Sequence, residues 1–180
     1  MIDEAFIDFV EGESVKQLIG DNPYVIILRS LTKYYALPGL RLGYLLAHPR
    51  TVAQFAAYLE PWSVNGPAQK VALACLAEPS FELRTERWLH RERSFLAEAL
   101  IALKGFLPYP ASANFLLVRI ANGTDALELR AFLLHKKLLI RACNSFAGLG
   151  SDHFRVAVRQ RKDNRLLLEA LREWTPRLLS

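Results

Sequence analysis

The chain has 180 residues, enough for one ordinary domain or two small ones. Hydrophobic residues make up 52% and charged residues 23%, which excludes a disordered chain and calls for a globular core. The formal charge of +5 is dispersed: Arg84, Arg87, Arg91 and Arg93 interleave with Glu82, Glu86, Glu92 and Glu98, which reads as a solvated helix face and excludes a nucleic-acid-binding stripe.

Cys75 and Cys143 have no C-x-x-C or zinc spacing, so neither a disulfide framework nor a metal site is expected. No apolar run reaches the length of a membrane span and no signal peptide is visible, so no membrane partner is expected and the default setting is a reducing cytoplasm.

Residues 1–9 begin inside something strand-like, with no lead-in. A buried strand needs partners and a parallel one needs a crossover, so a preceding portion of the chain is expected. Residues 11–21 are polar, with Val15, Leu18 and Ile19 giving one short helical face; they read as the connection between two parallel strands. Residues 24–28 read as a buried strand. A hydroxyl-rich turn carrying Lys33 follows, Pro38 and Gly39 break the chain, and residues 40–47 form a second apolar run.

A lysine between two buried strands is expected to sit on a rigid scaffold with little water around it. Desolvation favours the neutral amine, which can attack a carbonyl, as in a Schiff-base lysine. Ser30 lies three residues before Lys33 and Arg41 eight after, a hydroxyl and a guanidinium fork suited to phosphate. Together they could hold an aldehyde cofactor that ends in phosphate, and pyridoxal 5'-phosphate is the obvious candidate. A lone S-x-x-K also occurs in unrelated hydrolases, and a lone loop lysine is most often solvated. The specific signal is the whole string S-L-T-K-Y-Y-A-L-P-G-L-R-L-G-Y over residues 30–44.

Residues 50–60 read as a helix ended by Pro61, and residues 62–67 as a loop. Trp62 and Asn65 could line a pocket; equally, Trp62 could cover a core edge and Asn65 cap the next helix. Residues 68–76 are small and apolar nearly all round, which suggests a buried helix. Residues 80–103 read as a long helix with an apolar stripe of Phe81, Leu89, Phe95, Leu96, Leu100 and Leu103. About 24 helical residues reach roughly 36 Å, enough to bridge two subdomains.

Gly105, Pro108 and Pro110 mark a boundary. Beyond it a strand is expected over 114–120, a helix over 125–136 capped by Thr124, strands over 138–141 and 154–158, and an amphipathic helix over 163–174 with Leu166, Leu167, Ala170, Leu171 and Trp174 near one face. Arg155 precedes a short apolar strand, so a rigid neighbour fixes its guanidinium, which suits bidentate capture of a carboxylate. Arg141 is read as structural.

The 30–44 string resembles the lysine segment of fold-type I pyridoxal phosphate enzymes, the aminotransferase class I and II superfamily. D-E-A-F at residues 3–6 resembles the pattern in which that superfamily's aspartate pairs with the pyridine nitrogen. Many relatives carry tyrosine where Phe6 stands, and Phe6 cannot make that tyrosine's contact with the cofactor. P-W-S-V-N at 61–65, I-R-A-C-N-S-F-A-G-L-G at 140–150 and F-R-V-A-V at 154–158 are similar to the threonine-phosphate decarboxylase family, with the histidinol-phosphate aminotransferase family as its neighbour.

The resemblance implies an α/β fold, the C-terminal half of a fold-type I enzyme. Residues 1–78 would be the last strands of the large-domain sheet, 79–104 a linking helix and 105–180 a small α/β domain. It implies that Lys33 binds pyridoxal phosphate covalently, that Asp3, Ser30 and Arg41 hold the cofactor, and that Arg155 grips the substrate carboxylate, with Asn65 on the substrate side. It further implies a small phosphorylated amino-acid substrate, a homodimer, and decarboxylation of L-threonine O-3-phosphate for cobalamin biosynthesis. Aminotransfer by the same fold, or a non-catalytic fragment, are the alternatives.

Overall fold

The structure, a computed structural model, describes residues 1–175. They divide into two compact units, the first Met1–Arg84 and the second beginning at Thr85.

In the first unit β1 (Ile2–Asp3), β2 (Ile26–Ser30) and β3 (Gly43–Ala47) form a sheet in that order. β1 runs parallel to β2, pairing Asp3 with Leu28, and β3 runs antiparallel, pairing Gly43 with Ser30. The expected parallel pair is therefore present. Its connection is three short 3-10 turns, Ile7–Phe9, Glu11–Glu13 and Lys16–Ile19. Val15, Leu18 and Ile19 are too few to bury a helix face, and Leu18 is exposed.

Residues 24–28 are not the fully buried strand that the apolar run suggested. β2 alternates instead, with Ile27 and Arg29 buried and Leu28 exposed, and Tyr24, which precedes the strand, is exposed as well. β3 starts later than expected because Pro38–Leu40 form a 3-10 turn and Arg41 adopts the left-handed conformation at φ 50°.

Helix α1 (Leu31–Tyr34) begins where β2 ends, capped by Ser30, whose Oγ accepts from Thr32 N. Leu31, Tyr34, Tyr35 and Ala72 are the buried centre of a cluster that Phe9, Leu37, Leu42, Cys75 and Phe81 surround. Tyr35 stacks on Phe81 with ring centroids 5.6 Å apart, and its hydroxyl donates to Glu82 Oε1 at 3.0 Å. Helix α2 (Pro49–Ala56) opens with proline in its first turn, where the missing N–H costs nothing, and ends short of the expected residue 60. Helix α3 (Gly66–Leu76) is not buried all round: its small residues Ala68 and Ala72 meet the core, while Leu73 and Leu76 are exposed.

Helix α4 (Pro79–Ala102) is the long helix expected, and it runs on into the second unit with Leu89, Glu92, Leu96 and Leu100 buried. There β4 (Phe106–Pro108), β5 (Phe115–Ile120), β6 (Arg141–Ala142) and β7 (His153–Ala157) form an antiparallel sheet in the order β4-β5-β7-β6. Leu116, Val118 and Ile120 of β5 and Phe154 and Val156 of β7 are buried. Helix α5 (Ala126–His135) is capped by Asp125, not Thr124: the Asp125 carboxylate accepts from Leu127 N at 2.7 Å. The strand expected over 138–141 shrinks to the two residues of β6. Helix α6 (Arg161–Trp174) buries Asn164, Leu167, Leu168, Ala170, Leu171 and Trp174, and leaves Leu166 exposed.

Two tests follow from this packing. A Cβ added at Gly43 would lie 2.7 Å from the carbonyl oxygen of Arg29, a backbone atom that cannot move without parting β2 from β3. Gly43→Ala should cost about 1–3 kcal/mol by denaturant unfolding, whereas Gly39→Ala, with nothing within 4 Å, should cost far less.

In the second unit the buried Glu92 carboxylate accepts from Arg161 Nε at 2.9 Å and from Arg91 Nε at 3.2 Å. The Arg161 bond holds its pKa below the usual value, burial opposes and Arg91 adds. A depressed native pKa means stabilisation that is complete above the unfolded value of about 4.3 and lost as pH falls through the native one. Glu92→Gln should lower stability at neutral pH by about 1–3 kcal/mol and flatten its decline in acid, read by unfolding at several pH values.

Candidate functional site

Parallel pairing places the C-terminal ends of β1 and β2 side by side. Asp3 lies opposite Leu28, and successive strand residues point to opposite faces, so Asp3, Leu28 and Ser30 share one face. Asp3 and Leu28 are exposed and Ser30 is half-buried, so this face is open. One strand spacing and two residues of rise separate Asp3 and Ser30 by about 8 Å along the backbone. Asp3 Oδ1 accepts from Ala5 N at 2.9 Å, which fixes the carboxylate.

Lys33 is the third residue of α1. Its Nζ stands 5.8 Å from the centroid of the Phe6 ring, a cation–π contact that draws the amine toward the end of β1. Lys33 is exposed, not the desolvated amine its place between two apolar runs suggested. The burial of α1 falls on its neighbours Leu31, Thr32 and Tyr34, which face the core. Thr32 is buried and its hydroxyl lies 2.7 Å from that of Ser30. Arg41 donates from Nη1 to Pro38 O at 3.0 Å and sits two residues before Gly43, the partner of Ser30.

The opposite face of the same strand ends carries a buried ion-pair network. Arg29 donates to Glu4 Oε2 from Nε at 3.1 Å and from Nη2 at 3.0 Å, to Glu11 at 2.9 Å and 3.2 Å, and to Ser14 Oγ at 2.7 Å. Burial raises the pKa of nearby Asp8, with Arg29 pulling it down. Sequence reasoning missed Glu4, Arg29 and Thr32; Glu4 and Arg29 are 25 positions apart, and only the pairing of β1 with β2 brings them together.

In the second unit, Arg155 of β7 lies directly across from Arg141 of β6. The guanidinium of Arg155 stacks 4.4 Å from the Phe115 ring centroid, and that of Arg141 lies 5.7 Å from Phe146. Like charges directly opposite on a sheet repel, and among the described residues neither arginine makes an ion pair. Arg141 Nη2 lies 3.5 Å from Ser145 Oγ. On the same sheet Asp152 joins Arg119 Nε at 2.8 Å and His153 Nδ1 at 2.7 Å, and Tyr109 Oη lies 3.2 Å from His153 Nε2. The Arg119 bond keeps Asp152 below the usual carboxylate range, against burial and with help from His153.

Asn65 caps α3, its Oδ1 accepting from Ala68 N at 2.8 Å, and Trp62 covers no core edge, being 96% exposed. An apolar hollow of about 680 Å³ lies between Leu31, Leu42, Tyr44, Trp62, Ala72 and Leu73. Its lining includes none of Asp3, Ser30, Lys33 or Arg41.

Residues 1–171 match the sequence profile of aminotransferase class I and II. The chain belongs to that family. It is 40% identical over 174 residues to threonine-phosphate decarboxylase of Salmonella typhimurium, covering 96% of this chain and 47% of that protein. It is 37% identical over 174 residues to histidinol-phosphate aminotransferase of Roseiflexus castenholzii, covering 96% and 46%. The crystal structure of histidinol-phosphate aminotransferase from Clostridium acetobutylicum superposes with a TM-score of 0.91 at 30% identity, over 98% of this chain and 54% of that one. The chain thus spans about half the length of the relatives it matches.

Pyridoxal phosphate is the cofactor of this aminotransferase family. The open face at the strand ends suits it: a fixed carboxylate lies across from apolar Leu28 and a pair of hydroxyls lies two residues further along β2, which fits a flat group cationic at one end and anionic at the other.

The arginine pair gives a salt-sensitive test. Arg141→Ala should raise the stability of the second unit by about 0.2–1 kcal/mol at low ionic strength, and the gain should vanish in molar salt. Thermal unfolding at both ionic strengths checks it.

Proposed function

We propose that this chain is the lysine-bearing half of a pyridoxal phosphate-dependent enzyme that decarboxylates L-threonine O-3-phosphate to an aminopropanol phosphate. The observation that carries the cofactor reading is the sharing of one open sheet face by Asp3 and Ser30, with Lys33 Nζ 5.8 Å from the ring of Phe6, three residues after Asp3. The arginine pair supports a substrate with two anionic groups, one for each guanidinium.

When bound, the cofactor supplies an electron sink for the carbanion formed at the substrate's Cα. Lys33 provides the amine that anchors the aldehyde and holds or returns the proton at Cα. The Asp3 carboxylate keeps a proton on the pyridine nitrogen. Ser30, Thr32 and Arg41 bind the cofactor phosphate. Arg155 orients the substrate carboxylate, Arg141 takes the substrate phosphate, and Asn65 belongs to the substrate side. Residues 1–78 belong, in this proposal, to the large domain, 79–104 to the linking helix and 105–180 to the small domain. A cytoplasmic homodimer and a place in cobalamin biosynthesis are part of the same proposal.

A second reading, aminotransfer to or from a phosphorylated amino acid, is favoured by the 0.91 TM-score with an aminotransferase. Decarboxylation and aminotransfer differ in which Cα bond is held perpendicular to the ring, and orientation, not residue type, sets that. A third, a fragment without turnover, is favoured by the exposure of Lys33.

Borohydride reduction of the purified chain with pyridoxal phosphate, followed by peptide mapping, should place a phosphopyridoxyl group on Lys33; its absence supports the fragment reading. Carbon dioxide release from threonine phosphate without added keto acid supports decarboxylation, and turnover only with a keto acid supports aminotransfer.

A further inference from the structure

We propose that the buried Glu4–Arg29 pair is a positioning clamp, which sets the spacing between Asp3 and the Ser30–Lys33 segment from the far side of the sheet. The inference rests on the cofactor reading above and deepens it by naming residues that touch no cofactor atom.

The strand ladder continues past β1, with Glu4 N donating to Leu28 O at 2.8 Å. Glu4 therefore lies beside Arg29 on the buried face, while Asp3 and Ser30, their immediate chain neighbours, lie on the open one. Each end of the pair is bonded directly to a residue that would hold the cofactor. Any slip of β1 along β2 must break the pair.

The clamp is over-determined. The Glu4 carboxylate accepts from Arg29 Nε and Nη2, from Ser14 Oγ at 2.9 Å and from Val15 N at 2.9 Å. The fork of Arg29 reaches Glu11 and Ser14 as well. Glu4 is 5% exposed and Arg29 8%. Backbone pairing alone would hold β1 weakly, because the strand has only two residues. The side-chain network supplies the constraint that so short a strand lacks, and it ties the 4–15 segment down at the same time. Packed, hydrogen-bonded neighbours of this kind hold binding groups to within a fraction of an ångström, which pairing of two residues does not.

The experiment measures pyridoxal phosphate affinity, the yield of the borohydride-trapped Lys33 adduct and the thermal midpoint, in the whole chain. The variants are Glu4→Gln, the milder Ser14→Ala and a control, Thr51→Ala, which removes a hydrogen bond to Pro23 O in which no clamp residue takes part. Glu4→Gln is expected to weaken cofactor binding about tenfold or more and to cut the adduct yield. Ser14→Ala should shift both in the same direction by a smaller factor, and it keeps the test decisive should Glu4→Gln fail to fold. Thr51→Ala should lower the midpoint and leave affinity and adduct unchanged.

A clamp variant that loses midpoint but binds and traps the cofactor as the parent chain does would overturn the positioning role. A parent chain that forms no Lys33 adduct would overturn the cofactor reading itself, and the two failures are therefore told apart.

Discussion

The parallel register of two residues of β1 against β2 is the constraint on which the candidate site depends. It brings a carboxylate and a hydroxyl, 27 positions apart in the chain, to one face at the same end of a sheet. The C-terminal ends of parallel strands are where open α/β sheets present their ligand-binding groups. Helix α1 starts at that end because Ser30 caps it, and the third residue of the helix is the lysine. A shift by one residue would turn Asp3 into the buried face and Glu4 into the open one. The hydrogen bonds of Glu4 to Arg29, Ser14 and Val15 resist that shift.

The second sheet solves a different problem. Two arginines face each other across β6 and β7, each resting on an aromatic ring that supports the charge without neutralising it. Placing like charges opposite one another costs stability, which a purely structural sheet would avoid. Other guanidiniums of this unit do meet carboxylates: Arg119 meets Asp152, and Arg161 meets Glu92.

Local pattern carried much of the fold. Apolar runs located β2 and β5, apolar spacing at the helical period located α4 and α6, and the lysine string marked the segment around Lys33. Boundaries moved where a backbone conformation decided them, as at Arg41, whose left-handed φ delays β3, and at Asp125, which captures the cap that Thr124 was expected to make. The exposure of Lys33 was not legible, because burial depends on what packs over a residue and not on the apolar runs beside it. Glu4 and Arg29 meet across 25 positions and leave no local signature. The facing of Arg141 and Arg155 left no local sign either: they lie 14 residues apart in the chain, and only the pairing of β6 with β7 reveals it.

The central claim is that the Asp3 carboxylate stands where a bound pyridine ring meets it. The most direct measurement is the nitrogen-15 chemical shift of ring-labelled pyridoxal phosphate bound to the chain, compared with the same shift in Asp3→Asn. The account requires a protonated ring nitrogen near neutral pH that becomes neutral in the variant. A neutral nitrogen in the parent chain, or a shift that the substitution leaves in place, would contradict it.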